Sequence, residues 1–226
     1  METNRWTDSS KRLWNEKAAY WHANSIENWE RGSRRDIISF FKKYIPFGEV
    51  ADLGCGDGYG SYLLQREGYR VTGVDLSEEM VRYASGKRTA GLEFIAGDLQ
   101  NLPFASDTFD AAMAINSLEW VPNPLKALKE IWRITKPGGR VCIAILGPTA
   151  KPRENSFGRL TGEEAVCNTM MPWEFVGLAA KNDWKQIAEA YVYKRGVKEA
   201  FAAKLSDELK QALTFMTLFI LEKEKS

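Results

Sequence analysis

A chain of 226 residues with 44% apolar, 12% aromatic and 27% charged side chains has the makeup of a globular protein, and its length fits a single α/β domain over 1–226 better than two independent ones. Thirty-one Lys and Arg against thirty Asp and Glu leave a net charge of +1, which disfavours a nucleic-acid partner held by phosphate neutralisation. Three separated cysteines and one histidine supply too few ligands for a disulfide framework or a zinc site, no cluster of acids announces magnesium, and the longest uncharged apolar runs fall short of the ~20 residues of a membrane span, so a soluble, cytoplasmic, metal-free protein is expected.

Residues 1–45 are charged and helical in pattern, with Trp6, Trp14, Trp21 and Trp29 at steps of 8, 7 and 8. Trp14, Ala18 and Trp21 share a helix face. Such a stripe packs the extension onto the domain, makes it part of a lid over a ligand, or does both.

Residues 46–146 alternate short β-rich runs with helical patterns, the mark of consecutive βαβ units. Strands are expected near Val50 to Leu53, Arg70 to Val74, Leu92 to Ala96, Asp110 to Ile115 and Arg140 to Leu146; their continuous apolar character suits a mostly parallel, doubly wound sheet covered on both faces. Between them, Gly68 reads as the glycine just past the first helix, Ser77 as the cap of the second, and Asn123 with Pro124 as the start of the third. The stretch Thr135-Lys136-Pro137-Gly138-Gly139 reads as a tight breaker before the fifth strand. Beyond residue 146 come a loop-rich insertion from Gly147 to Pro172, a helix from Trp173 to Lys181 and a strand from Trp184 to Tyr193. A helix from Val197 to Leu213 and a closing strand from Thr214 to Leu221 complete the pattern, and a seventh strand is thereby implied.

The most informative segment is Val50-Ala51-Asp52-Leu53-Gly54-Cys55-Gly56-Asp57-Gly58-Tyr59-Gly60, which follows a strand and opens a helix. Glycines at this junction let backbone approach a ligand in the crevice beyond the carboxyl ends of the strands. No register supplies the G-x-G-x-x-G of a dinucleotide site, and the P-loop lysine is absent. No basic residue stands between Glu49 and Arg66 to meet phosphates, whereas Asp52 and Asp57 would favour a ligand bearing an ammonium or sulfonium group. That chemistry points to S-adenosylmethionine.

On these residues the sequence resembles the class I S-adenosylmethionine-dependent methyltransferases, in particular the small-molecule group. VADLGCGDG is similar to that family's first motif, and VTGVDLS, AGDLQNLPF, FDAAMAINSLEWV and RITKPGGRV follow in the family's order. The resemblance implies a seven-stranded Rossmann-like sheet with an N-terminal helical lid over 1–45, and S-adenosylmethionine as cofactor. It implies cofactor contacts at Gly54, Cys55, Gly56 and Gly58 of the loop together with Asp52, and at Leu76 and Met80 beside Asp75. Asp75, at a strand's carboxyl end, sits where an acid accepts hydrogen bonds from both ribose hydroxyls. Asp98 and Leu99 would meet the adenine, and Asn116 with Ser117 the methionine end. Tyr20 looks like the family's N-terminal tyrosine that reaches the methionine moiety, with Arg31, Arg34 or Arg35 as carboxylate partners.

Methyl transfer from a sulfonium is an in-line displacement that needs alignment and exclusion of water more than a particular catalytic residue. A carbon acid or alcohol would benefit from a base, and His22 and Glu119 are the candidates, Glu119 standing where many relatives carry a histidine. The acceptor pocket is expected between the N-terminal extension and the 147–172 insertion, with Trp21, Trp29, Phe157, Met170, Met171 and Trp173 pointing to a small, partly hydrophobic acceptor. Two other functions remain open at this level: a non-catalytic module that binds S-adenosylmethionine or S-adenosylhomocysteine, and an aminopropyl transferase.

Overall fold

The computed structural model describes residues 2–224. A helix of 29 residues, α1 (Glu2–Glu30), and a short α2 (Ile37–Tyr44) lead into β1 (Glu49–Leu53), α3 (Tyr59–Arg66), β2 (Arg70–Asp75), α4 (Glu78–Ser85) and β3 (Leu92–Ala96). Then come β4 (Phe109–Ile115), α5 (Pro124–Ile134), β5 (Thr135–Leu146), α6 (Pro172–Ala180), β6 (Trp184–Tyr193), α7 (Glu199–Ala202), α8 (Asp207–Ala212) and β7 (Thr214–Lys223). The strands form one seven-stranded sheet in the order β3-β2-β1-β4-β5-β7-β6. It is mixed rather than purely parallel: β1 to β5 pair in parallel, and β7 runs antiparallel to both β5 and β6.

Alternate residues of each strand serve opposite layers, as the pleat requires. Val141, Ile143 and Ile145 face α5 and α6 in a cluster with Leu128, Ile131 and Phe175. Cys142 and Ala144 face the other layer, where Phe41, Leu64 and Trp29 pack. Leu128 and Ile131 are fully buried, each worth about 1.5–3 kcal/mol of hydrophobic stabilisation. Helix starts follow the sequence signals: the Ser77 hydroxyl accepts from the Met80 N–H, and the Asn123 side chain accepts from Lys126 N–H ahead of Pro124. Gly68, at φ +96°, stands just beyond the end of α3.

Two expected boundaries shift. The segment Thr135 to Gly139 is not a breaker: β5 already begins at Thr135, which pairs with Phe109 across an irregularity in register. Gly138, at φ +75°, absorbs the bulge that the pattern of prolines and glycines advertised. The single helix expected over 197–213 is two short ones, because Ser206 takes an extended conformation between them. The loop-rich 147–172 segment carries a 3₁₀ run, Lys151–Leu160. No helix among the described residues is long and apolar enough to cross a membrane.

Candidate active site

Strand order reverses between β1 and β4, whose neighbours β2 and β5 lie on opposite sides, and such a switch point opens a crevice at the carboxyl ends of the strands. There β1 passes into the glycine loop, with Gly54, Gly56 and Gly58 at φ +78°, +56° and +76°. These left-handed turns suit glycine, and a Cβ on Gly54 would lie 2.4 Å from the Ser117 Cβ. Gly54 and Cys55 N–H groups donate to the Val74 carbonyl at 2.8 and 3.0 Å, which ties the loop to β2.

A cavity enclosing about 790 Å³ occupies this crevice. Asp52, 3% exposed, lines it with one oxygen accepting from the Ser61 hydroxyl at 2.6 Å. Burial raises its carboxyl to about 7, against the lowering effects of Ser61 and Arg34. Asp75, at the end of β2, accepts from Gly56 N–H at 2.8 Å and Ser77 N–H at 2.9 Å, yet desolvation still lifts it to about 6. Asp98 and Leu99, after β3, lie on the same wall with Leu76 and Met80. Cys55 lines the cavity too, with its thiol pushed up by burial and the nearby acids.

Asn116 closes the far end in a left-handed turn at φ +52°, its carbonyl accepting from Trp120 Nε1 at 2.7 Å. The α1 helix forms the roof. Trp29 lies over Gly60, where a Cβ would come within 2.4 Å of the ring, and Trp21 Nε1 lies 3.2 Å from a Cβ placed on Gly56. Arg34 sits 4.4 Å above the Trp21 ring and 5.4 Å from that of Trp29, and burial lowers it to about 10 despite Asp52, Asp57 and Glu119 nearby. The hydroxyls of Ser10 and Ser117, both on the cavity wall, are buried without a hydrogen-bond partner among the described residues.

Several expected site residues lie elsewhere. Tyr20 is 73% exposed and outside the cavity, because it sits one residue off the face that carries Trp14, Ala18 and Trp21. Gly58 lies behind the loop, where a Cβ would meet the Phe94 ring at 2.7 Å. Asp57, expected to attract a cation, turns away from the cavity to accept from Ser25 Oγ at 2.7 Å and Lys87 Nζ at 3.4 Å. Neither candidate base reaches the crevice. His22 is bonded to Asp57 through Nδ1 at 2.8 Å and stacks on Tyr83 at 4.4 Å. Glu119 is fully buried, and its Oε1 accepts from Leu146 N–H at the end of β5.

Glu119 belongs to the seam that holds the 147–172 segment. Asn168 N–H donates to its carbonyl at 2.8 Å, and Arg153 donates to the carbonyls of Gly147 and Met170 at 2.8 Å each. Of the arginines Arg31, Arg34 and Arg35, only Arg34 lines the cavity. Of the expected aromatic and apolar pocket residues, Trp21 and Trp29 line it, while Phe157, Met170, Met171 and Trp173 do not. Sequence reading did not assign Ser10, Trp14 or Trp120 to the site. For Trp14 the stripe at helical spacing carried the signal; Trp120 had none stronger than its distance from β4.

A sheet of this order with its reversed β7, a glycine-lined notch at the tip of β1 and an acid at the tip of β2 together define the class I S-adenosylmethionine-dependent methyltransferase fold. Residues 51–143 match the family described as a methyltransferase domain. The chain is 32% identical over 134 residues to a malonyl-[acyl-carrier protein] O-methyltransferase of Pectobacterium atrosepticum, covering 59% of this chain and 52% of that one. It is 43% identical over 96 residues to a demethylmenaquinone methyltransferase of Paenarthrobacter aurescens, covering 42% and 38% respectively. The chain thus spans about half or less of the length of these curated relatives. Among solved structures, a chain from the complex of the Haloferax volcanii Trm112 methyltransferase activator with a methyltransferase superposes with TM-score 0.71 at 22% identity, covering 94% of this chain and 98% of that one. An S-adenosylmethionine-dependent methyltransferase of Methanosarcina mazei superposes at 0.61 with 21% identity, covering 79% and 93%.

Proposed function

We propose that this protein transfers a methyl group from S-adenosylmethionine to a small-molecule acceptor. The observation that carries the reading is the makeup of the crevice wall: glycine backbone beside Asp52, Asp75 and Asp98, with two buried hydroxyls unsatisfied. Three acids and one guanidinium suit a ligand that is cationic at one end and carries a single carboxylate. The residues therefore fit S-adenosylmethionine, which when bound supplies a methyl group already activated by its positive sulfur.

In this reading Asp75 holds the ribose hydroxyls and Asp98 with Leu99 receives the adenine edge. Asp52 and the Gly54 and Gly56 backbone border the methionine moiety, and Arg34 pairs with its carboxylate. Helix α1 roofs the site and excludes water from the transfer path. The carboxylates among the described residues that line the cavity, Asp52, Asp75 and Asp98, are taken up in this reading by the cofactor, so alignment of the acceptor is the protein's main contribution.

The malonyl-[acyl-carrier protein] O-methyltransferase and demethylmenaquinone methyltransferase relatives suggest acceptors of two different kinds. The test is calorimetry with S-adenosylhomocysteine on the native chain and on Asp75→Asn. Loss of charge-assisted hydrogen bonds to the ribose is expected to weaken binding by roughly ten- to hundredfold with the thermal unfolding transition retained. Equal affinity in the two proteins removes the ribose role. Tight binding without methyl transfer to any acceptor in a labelled-donor screen of a metabolite extract would instead favour a binding module.

A further inference from the structure

Beside the crevice lies a second chamber, enclosing about 480 Å³ and walled in part by Trp14, Trp21, Trp120 and Phe215. Trp14, Trp21, Trp120, Arg34 and Asn116 line both spaces, so the two abut at the end of β4. Leu146 and Phe215 come from the paired ends of β5 and β7, on the side of β4 away from Asp75. The remaining polar groups are Asn28 and Ser33. Among the described residues that line this chamber there is no carboxylate, lysine, histidine, tyrosine or cysteine.

Resting on the reading that the crevice takes S-adenosylmethionine, we propose that this chamber receives the methyl acceptor, and that the acceptor is a flat aromatic or heteroaromatic molecule. It is neutral or carries one negative charge, and it brings its own free lone pair. Three features of the wall support this.

The first is shape and ring geometry. Trp14 stands at 88° to Trp21 with centroids 6.3 Å apart, and at 86° to Trp120 at 4.9 Å. Orthogonal indoles offer both faces and edges, so a planar guest can stack on one ring while meeting the edge of another, each pair worth about 0.5–1.5 kcal/mol beyond burial. A flexible aliphatic chain gains burial here but none of that preference.

Charge is the second. Arg34 is the one charged residue among those lining the chamber, and its guanidinium lies over Trp21. An anion is attracted to it and a protonated alkylamine repelled, in a space where solvent screening is weak. Burial holds Arg34 at about 10, still protonated at neutral pH.

The third feature is the missing base. An alcohol or carbon acid gains about 10²–10⁴ in rate from a positioned base, and no residue here supplies one. A carboxylate, a thiolate or a ring nitrogen has its lone pair available at neutral pH. That pair forms the bond to the methyl carbon as the carbon–sulfur bond breaks, and the electrons of the broken bond remain on sulfur. An anionic acceptor ends neutral and a ring nitrogen ends cationic, so no proton passes to the protein.

The experiment titrates protein loaded with S-adenosylhomocysteine with 2-mercaptobenzoate, quinoline, hexylamine and a malonyl thioester, reading tryptophan fluorescence, and then offers each compound to labelled S-adenosylmethionine. The aromatic compounds are expected to quench saturably and to accept the methyl group, and hexylamine to do neither. Phe215→Ala, a change confined to the second chamber, is expected to weaken the aromatic compounds by about tenfold, the loss of one ring contact with its buried area, while S-adenosylhomocysteine affinity changes by less than about twofold. Asn28→Asp, which adds a negative charge with little change in size, should weaken 2-mercaptobenzoate more than quinoline, and it serves if Phe215→Ala fails to fold. Binding confined to hexylamine or the malonyl thioester, or aromatic binding untouched by either substitution, overturns the proposal. Failure of S-adenosylhomocysteine itself to bind overturns the reading of the crevice and is seen separately.

Discussion

Asp52 and Asp75 are carboxyls that the free protein holds at about 7 and about 6, both raised chiefly by desolvation. Each therefore binds its proton more tightly in the folded chain than in the unfolded one, where the ordinary value is 3.8. Their contribution to stability is fully present below the unfolded value and is lost as pH rises through the folded values. A ligand that brings an ammonium near Asp52 and donates ribose hydroxyls to Asp75 reverses the preference, because both favour the ionised acids. Affinity for S-adenosylhomocysteine, which carries an ammonium, is thus expected to rise between about pH 5 and pH 8, with protons released on binding in proportion to the fraction still protonated. Calorimetry in two buffers of different ionisation enthalpy measures both quantities. Asp52→Asn should remove the upper part of that pH dependence and leave the part belonging to Asp75. An affinity that is flat across this window in the native chain contradicts the role given to these acids.

Helix α1 is fastened along much of its length: Trp6 Nε1 donates to the Trp120 carbonyl at 2.9 Å, the Asn15 Oδ1 accepts from the Ser77 hydroxyl at 2.7 Å, and Ser25 Oγ reaches Asp57 at 2.7 Å. Its C-terminal anchor is Trp29, 6% exposed, against the first turn of α3 at Gly60. Gly60 does not lie in the left-handed region, so a methyl there tests packing alone. Gly60→Ala is expected to displace the Trp29 ring, cost about 1–3 kcal/mol of stability by overpacking and weaken S-adenosylhomocysteine binding through the shifted roof. Urea titration and calorimetry check the two effects, and an unchanged affinity would separate the roof from the ligand. The stripe that builds this helix was legible because helical spacing repeats it, and so were the strand ends that deliver Asp52, Asp75 and Asp98. Tyr20 misled because one residue along a helix is about 100° around it, so a neighbour of Trp21 faces solvent. Asp57 misled because the left-handed turn at Gly56 sends the loop's second acid under α1, a partner no local pattern announces. Phe215 and Trp120 line one chamber only because β7 runs antiparallel beside β5, and pairing of that kind leaves no trace near either residue.

Across the whole molecule the sheet brings loops from β1, β2, β3 and β4 to one edge, and the long α1 covers them, so a ligand in the crevice touches both layers and the roof at once. A ligand that binds only the folded chain stabilises it by mass action, about 2.7 kcal/mol at a hundred times its dissociation constant. For a domain of this size each kcal/mol moves the unfolding midpoint by about 2–4 °C, so saturating S-adenosylhomocysteine should raise Tm by roughly 5–10 °C. NAD, also an adenosine compound, isolates the contribution of charge. Its pyrophosphate would have to enter a wall bearing Asp52, Asp75 and Asp98, with Arg34 as the single cation among the described lining residues, and opposite-signed chemistry would be needed to hold it. Differential scanning fluorimetry at matched ligand excess should therefore show the rise with S-adenosylhomocysteine and none with NAD. Equal shifts would mean that the crevice recognises adenosine without regard to the charge beyond it, and the acids would then have no part in excluding a pyrophosphate.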